Sequence, residues 1–287
     1  MNWKQTLFWS FSTAAIFYYF LLFGVFVFVG QEEMQLFIPE WWYIREFLFQ
    51  PGGFCAVAGQ WIIQYYRQPM SAVVLHTVLL VGCGFMVYRI LRCFSDKTYL
   101  LFLSLLPVLY LVKMSIHGEY LVDGTVGVVL MLLALSVSLK VRRAGSIAGY
   151  GIASTLFLCG LTGLLSVCYA FLYTLLALLR YKTSRQRLAA AACLIPALFI
   201  YLFSGWLGIP VPLSDGWMPE AYLEIQRLPH YYMYCVWTFF TLSIVGVALF
   251  ARFVPVIGEK SKWMDRVALV VCLITALVSI RFCLPEP

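Results

Sequence analysis

Long stretches of apolar residues, separated by short charged breaks, dominate the pattern of this chain. Stretches such as 9–30 and 73–90 approach the roughly 20 apolar residues that a membrane-spanning helix needs. They lack the alternation of apolar and polar positions that is typical of membrane β-barrel strands. Because backbone polar groups in lipid must be paired within the segment, the pattern predicts spanning helices. The predicted fold class is therefore all-α, a polytopic transmembrane helix bundle.

The apolar stretches predict about nine spans within one transmembrane domain, residues 1–287. The predicted spans are 8–30, 70–92, 98–113, 121–139, 146–162, 165–181, 188–207, 231–253 and 265–282. The stretch 146–181 is the hardest to divide, because it is too long for one helix and short for two. A turn near Gly160–Gly163 would separate two helices, since glycine permits a tight turn.

Composition and charge exclude two broad classes of protein. The chain is 63% hydrophobic and 11% charged, whereas ordinary soluble domains are roughly a quarter charged. Its net charge of +7 would suit nucleic acid if the basic residues formed one patch. With the amino terminus in the cytoplasm, however, most basic residues fall in the inner loops, as the positive-inside pattern requires. We therefore expect membrane lipids as partners and no nucleic acid.

Two segments on the expected outer side are too polar to span. Residues 31–69 form an extracytoplasmic interfacial segment, in which two short amphipathic helices are predicted, Glu40–Gln50 and Phe54–Arg67. Residues 51–53, Pro-Gly-Gly, break them. The second helix either braces the bundle at the headgroup layer or forms the re-entrant floor of a cleft open to lipid. Helical spacing puts Gln60, Gln64 and Arg67 on one of its faces and Phe54, Ala58, Trp61 and Tyr65 on another. The second segment, 208–230, is an extracytoplasmic loop.

The same side collects most of the acidic residues and the candidate functional side chains. Asp123 opens an apolar helix, where it either caps the helix or directs a carboxylate into an outward cavity. Glu32 and Glu33 follow the first span directly and are either solvated helix ends or part of the same site. The candidates that could bind a substrate are Lys113, His117, Glu119, Arg67 and Arg227. The sequence contains no HExxH, P-loop, GxGxxG or nucleophile-elbow motif and no Cys/His cluster that predicts a metal site.

Several of these segments resemble a known family. A short tail, one span, the acidic pair and the interfacial helices look like the start of the C-type polyprenyl-dependent membrane glycosyltransferases. The stretch EYLVDGTVGVVLMLLALSVSL is similar to that family's aspartate-opened fourth span. The patterns QEEMQLF and FQPGGFCAVAGQWIIQYY also resemble an uncharacterised family of Bacteroidota multi-pass proteins, whose members carry a further non-membrane region. The likeness covers roughly residues 1–180.

The resemblance implies a function and an orientation. Glu32 or Glu33 would match the carboxylate in that family's first loop that acts as the catalytic base, a position where Asp is commoner. Asp123 would match the family's second acidic residue. The chain would be a glycosyltransferase or an inactive relative of one, and a truncated or degenerate member of the family. The substrate of an active member would be a polyprenyl-phosphate-linked sugar at the outer leaflet. The resemblance does not define a cofactor, although a divalent cation would be compatible with this chemistry. Protein partners are unknown. We expect the bacterial cytoplasmic (inner) membrane, with a cytoplasmic amino terminus and a periplasmic carboxyl terminus.

Two other functions remain open from the residues alone. A non-enzymatic membrane subunit or scaffold would scatter its acidic residues in solvent. A transporter would bury polar groups near the middle of the membrane. An enzyme would bring its acidic residues together at one outward cavity.

Overall fold

The computed structural model describes residues 3–34, 37–116, 120, 122–163, 165–203, 231–253, 263, 265 and 267–271. Across these ranges the regular secondary structure is entirely helical, which confirms the predicted all-α class. The helices are α1 (Trp3–Phe23), α2 (Val25–Met34), α3 (Trp41–Leu48), α4 (Gly53–Ile63), the 3₁₀ helix η1 (Gln64–Arg67), α5 (Pro69–Leu91), α6 (Tyr99–Leu103), α7 (Leu106–Met114), α8 (Val122–Ser138), α9 (Ala144–Thr162), α10 (Leu165–Arg180), α11 (Ser184–Ala191), α12 (Leu194–Leu202) and α13 (Tyr231–Phe253).

Four helical stretches among the described residues are long and apolar enough to cross a membrane. They are Gln5–Phe23, Pro69–Leu91, Ala144–Thr162 and Ser184–Leu202. Four shorter apolar stretches accompany them: Tyr99–Met114, Val122–Ser138, Leu165–Arg180 and Phe239–Arg252. The protein is therefore a multi-pass integral membrane protein, whereas the predicted number of nine spans is not established. Most of the predicted ninth span, 265–282, lies outside the described residues.

The helices run back and forth between two ends of the bundle. One end, here called the basic end, carries the turns 92–98, 140–143 and 181–183. At this end Gln5 of α1 donates a hydrogen bond to the hydroxyl of Tyr88 on α5, with 2.8 Å between the two heavy atoms. The opposite end, here called the Asp123 end, carries the start of α8 and the turn between α9 and α10.

Glycine separates α9 from α10. The first of these helices ends at Thr162, and Gly163 has φ 63° and ψ −139°, a backbone conformation that other residues adopt only with strain. The predicted turn near Gly160–Gly163 is therefore confirmed. The backbone N–H of Gly52, itself at φ 86°, donates to the carbonyl of Gly160 at 3.1 Å. This bond ties the start of α4 to the end of α9.

The helix α4 is part of the bundle and packs against α8 and α9. The breaks on either side of it were predicted correctly, because α3 ends before the Pro-Gly-Gly turn and η1 ends at Arg67. Its small residues Gly53, Cys55, Ala56 and Gly59 are buried. Small side chains allow helix backbones to approach closely, as is common between helices in membranes. The preceding helix α3 has no buried residues and therefore lies on the surface.

Candidate functional site

Asp123 is a buried carboxylate at the end of the bundle that is named after it. It is the second residue of α8 and is 0% exposed. Neither of its carboxylate oxygens accepts a hydrogen bond from another described residue. Buried polar side chains nearly always have such a partner. The positive end of the α8 dipole would stabilise an ionised carboxylate by up to about 2 kcal/mol. This is less than the several kcal/mol that burying an ion costs.

The Asp123 carboxylate lies directly against the backbone of α4. A Cβ atom added at Gly59 would overlap its Oδ1 atom and would lie 2.5 Å from Cγ and 3.0 Å from Cα. One turn earlier, the Sγ atom of Cys55 lies 3.7 Å from the position that a Cβ at Gly127 would take. The helix α4 thus covers the start of α8 at two successive contacts, and the one at Gly59 is feasible only because this residue is glycine.

A buried hydrogen-bonded pair, Tyr66 and His76, lies near the Asp123 carboxylate. The hydroxyl of Tyr66 in η1 and the Nε2 atom of His76 in α5 are 2.5 Å apart and share a hydrogen bond. The ring of His76 stacks on Phe28 of α2, with 4.2 Å between the ring centroids and 9° between the planes. The Nδ1 atom of His76 is buried and has no partner among the described residues. Of the two ring nitrogens of His76, Nε2 is thus hydrogen-bonded and Nδ1 is not, among the described residues.

The segment before α8 connects Asp123 to the end of α2. The Nε2 atom of Gln31 donates to the backbone carbonyl of Tyr120 at 2.9 Å. The Tyr120 hydroxyl accepts a bond from the Thr125 hydroxyl at 3.2 Å. The Oε1 atom of Gln31 is another buried atom without a partner among the described residues. Phe28, which stacks on His76, and Gln31, which bonds to Tyr120, are three residues apart on α2. Both therefore lie on one face of that helix.

Burial and the neighbouring carboxylate keep the surrounding acids neutral. Burial raises the pKa of the Tyr66 hydroxyl well above its ordinary value, and the charge of Asp123 raises it further. The pKa of the Cys55 thiol is raised by the same two causes in the same order. Burial also raises the pKa of Tyr120, although the bond from Thr125 lowers it in part. Tyr66, Cys55 and Tyr120 are therefore neutral near neutral pH.

The predicted site residues are divided between the interior and the surface. Gln31 is buried, whereas Glu32 is half-buried and Glu33 is exposed. Arg67 is exposed at the end of η1, and Lys113 is half-buried near the end of α7. The residues His117, Glu119 and Arg227, and the loop 208–230, lie outside the described residues. The structure thus places Tyr66 and Tyr120 close enough to Asp123 for its charge to raise their pKa values, and His76 and Gln31 are hydrogen-bonded to these two tyrosines. None of these four was a predicted site residue.

The residues that helical spacing puts on one face of α4 and η1 differ in burial. Gln64 and Arg67 are exposed, whereas Gln60 is buried and its Oε1 atom accepts a bond from the Tyr43 hydroxyl at 3.1 Å. On the other face, the aromatic residues Phe54, Trp61 and Tyr65 are exposed. An aromatic side chain at a membrane boundary can face lipid headgroups without penalty.

Metal-ligating side chains do not cluster in the part of the chain that the structure describes. No group of three or more His, Cys, Asp or Glu residues there could hold a metal ion. The cysteines whose side chains the structure describes are free thiols: Cys55, Cys83, Cys93, Cys159, Cys168 and Cys193. At this site the Asp123 carboxylate, Oε1 of Gln31 and Nδ1 of His76 have no hydrogen-bond partner among the described residues.

Comparison with known proteins gives one result. Residues 1–281 match the model of a family of unknown function, DUF6057. No curated protein and no solved structure matches the chain. The likeness to the C-type glycosyltransferases therefore has no support from these comparisons.

Proposed function

We propose that this chain, which belongs to the DUF6057 family of unknown function, is a membrane transferase acting on a lipid-linked sugar. Its catalytic end would be the Asp123 end, facing outward from a bacterial cytoplasmic membrane. The donor would be a polyprenyl-phosphate-linked sugar in the outer leaflet. The acceptor would carry a hydroxyl group.

The observation that carries this proposal is the burial of Asp123 without a partner. A core position of this kind is more stable with an apolar residue, so a carboxylate there indicates a use other than packing. Groups that reduce stability in this way concentrate at functional sites. The same aspartate is the one that the family resemblance selects. The site is further supported by Gln31, which joins it to the helix end that carries Glu32 and Glu33.

The exposures of the carboxylates suggest different roles for them. Glu32 is half-buried and reachable from the surface, so it is the better candidate for the base. In the reaction, Glu32 would take the proton of the acceptor hydroxyl while the acceptor oxygen forms a bond to the anomeric carbon. The bond between that carbon and the phosphate oxygen would break, and polyprenyl phosphate would leave. Asp123 would position the acceptor or a bound cation from inside.

Positive groups at the same end would stabilise the leaving phosphate. Arg67 and Lys113 are the described candidates, and His117 and Arg227 are the others that the sequence offers. Since α4 covers Asp123 at Gly59, a substrate can reach the aspartate only if α4 moves away from α8. This proposal therefore places α3 and α4 as the movable cover of the site.

The test measures lipid-linked sugars in cells that lack the gene and are complemented with variants. Loss of a transferase should make its donor accumulate, which mass spectrometry of extracted lipids detects. We expect Glu32→Gln to lower the transfer rate about 10²–10⁴-fold, and Asp123→Asn to fail in complementation while reaching normal levels in the membrane. Glu33→Gln is the matched control and should complement. A deletion strain with an unchanged set of lipid-linked sugars would refute the proposal.

A further inference from the structure

A pocket of about 370 Å³ opens at the basic end, far along the chain from Asp123. It lies between α1, the end of α5 and the start of α6, and is lined by Trp3, Gln5, Tyr88, Arg92, Asp96, Thr98 and Leu101. Its volume is within the usual range for a small-ligand site. The lining combines one positive group, one negative group and aromatic rings.

The two charged groups in this pocket form an exposed ion pair. Both Nε and Nη2 of Arg92 donate to the same carboxylate oxygen of Asp96, Oδ1, at 3.3 and 3.1 Å. The guanidinium carbon also lies 5.9 Å from the centroid of the Tyr88 ring. The Oδ2 atom of Asp96 takes no part in the pair. The pair therefore presents an oriented guanidinium beside an available carboxylate oxygen.

An apolar stripe leads away from the pocket along α1. Trp3, Leu7 and Phe11 are all exposed, and their spacing of four residues puts them on one face of the helix. Tryptophan is enriched where a membrane meets water, which suits Trp3 at the start of this helix. A ligand with a polar head in the pocket could lay an acyl chain along this stripe.

We propose that this pocket binds the headgroup of an aminophospholipid of the phosphatidylethanolamine type. The phosphate would accept hydrogen bonds from Arg92, whose planar guanidinium suits phosphate geometry. The ammonium group would donate to Oδ2 of Asp96 and lie near the rings of Trp3 and Tyr88. A purely anionic headgroup would meet the carboxylate of Asp96 unfavourably. The proposal is independent of the transferase activity proposed for the other end.

The experiment titrates lipids onto the full chain purified in detergent, with native mass spectrometry and the melting temperature as readouts. Phosphatidylethanolamine should remain bound more strongly than phosphatidylglycerol with the same acyl chains, and should raise the melting temperature more. Arg92→Gln should weaken binding of both lipids about tenfold, the effect of one charge-assisted contact. Asp96→Asn should abolish the preference between the two lipids.

The variants are expected to fold, because Arg92 and Asp96 form an exposed ion pair in the turn after α5, and exposed pairs add little stability. Arg89→Gln is the matched control: Arg89 is also exposed near the end of α5 but does not line the pocket, so the lipid preference should persist. Equal binding of the two lipids to the unmodified protein would overturn the proposal. So would stabilisation by free phosphoethanolamine as large as that by the lipid, since the ligand would then be a soluble molecule.

Discussion

Replacing Gly59 by alanine tests the contact between α4 and Asp123. The added Cβ would lie 2.5 Å from Cγ and 3.0 Å from Cα of the aspartate. The carboxylate could rotate, but the Cα atom belongs to the backbone of α8, so α4 and α8 must separate. Overpacking of this kind costs about 1–3 kcal/mol, against about 1 kcal/mol gained because alanine favours a helix over glycine. We place the overpacking cost near the upper end and expect a net loss of about 2 kcal/mol.

The assay is thermal unfolding of the purified protein in detergent, followed by tryptophan fluorescence. For a chain of this size, about 2 kcal/mol corresponds to a fall of roughly 4–8 °C in Tm. Gly82→Ala in α5 is the matched control, because a Cβ there meets nothing within 4 Å. Its Tm should stay the same or rise. A Gly59→Ala protein that melts at or above the Gly82→Ala protein would refute the packing of α4 on Asp123.

A double substitution separates the side-chain clash from the backbone contact. Asp123→Ala removes Cγ and the carboxylate but leaves the Cα atom in place. The Gly59→Ala/Asp123→Ala protein should therefore recover part of the lost stability. The coupling free energy should be about 0.5–3 kcal/mol, the range for residues in contact, and a value near zero would contradict the geometry.

Two further substitutions probe the neighbourhood of the same site. Tyr66→Phe should lower the unfolding free energy by about 1–3 kcal/mol, because it leaves the buried Nε2 atom of His76 without its partner. In the control, Tyr65→Phe at the adjacent exposed residue should change the unfolding free energy by less than about 0.5 kcal/mol. Equal effects of the two substitutions would argue against the buried hydrogen bond. Gly127→Cys should form a disulfide with Cys55 on mild oxidation, since the new Cβ would lie 3.7 Å from the existing Sγ, within reach of a disulfide, once the Leu165 side chain, whose Cδ2 would lie 2.9 Å from that Cβ, has rotated away. The crosslink is read from the intact mass after free thiols are blocked, and Gly149→Cys, with nothing within 4 Å of its Cβ, should not form one with Cys55.

Breaks in the chain could be predicted from the sequence, whereas the contacts between helices could not. The Pro-Gly-Gly turn and Gly163 determine backbone conformation locally, so both helix boundaries followed from residue type. Which face of α4 is buried depends on what surrounds it. Lipid accepts aromatic side chains such as Trp61, so the apolar face need not point inward; the small residues around Gly59 mark the packed face instead.

The site shows the same limit of sequence reasoning. Asp123 could be recognised because an acidic residue in an apolar stretch is unusual. Gln31 could not, because a glutamine followed by two glutamates has the sequence of a solvated helix end. The direction of each side chain on α2 decides which of the three enters the bundle. That direction depends on the contact of α2 with Tyr120, which is distant in sequence.

The bond between Gly52 and Gly160 has a consequence for how the protein is made. The helix α4 leaves the ribosome long before α8 and α9, against which it packs. At roughly 5–20 residues per second, a nascent chain would wait on the order of ten seconds before these partners exist. During that time α4 lacks these two partners, so its exposed aromatic face would hold it at the membrane surface. The contact between Gly59 and Asp123 can form once α8 is made, whereas the bond from Gly52 to Gly160 forms only after α9 is made, so the final fixing of α4 over Asp123 is a late step of biogenesis.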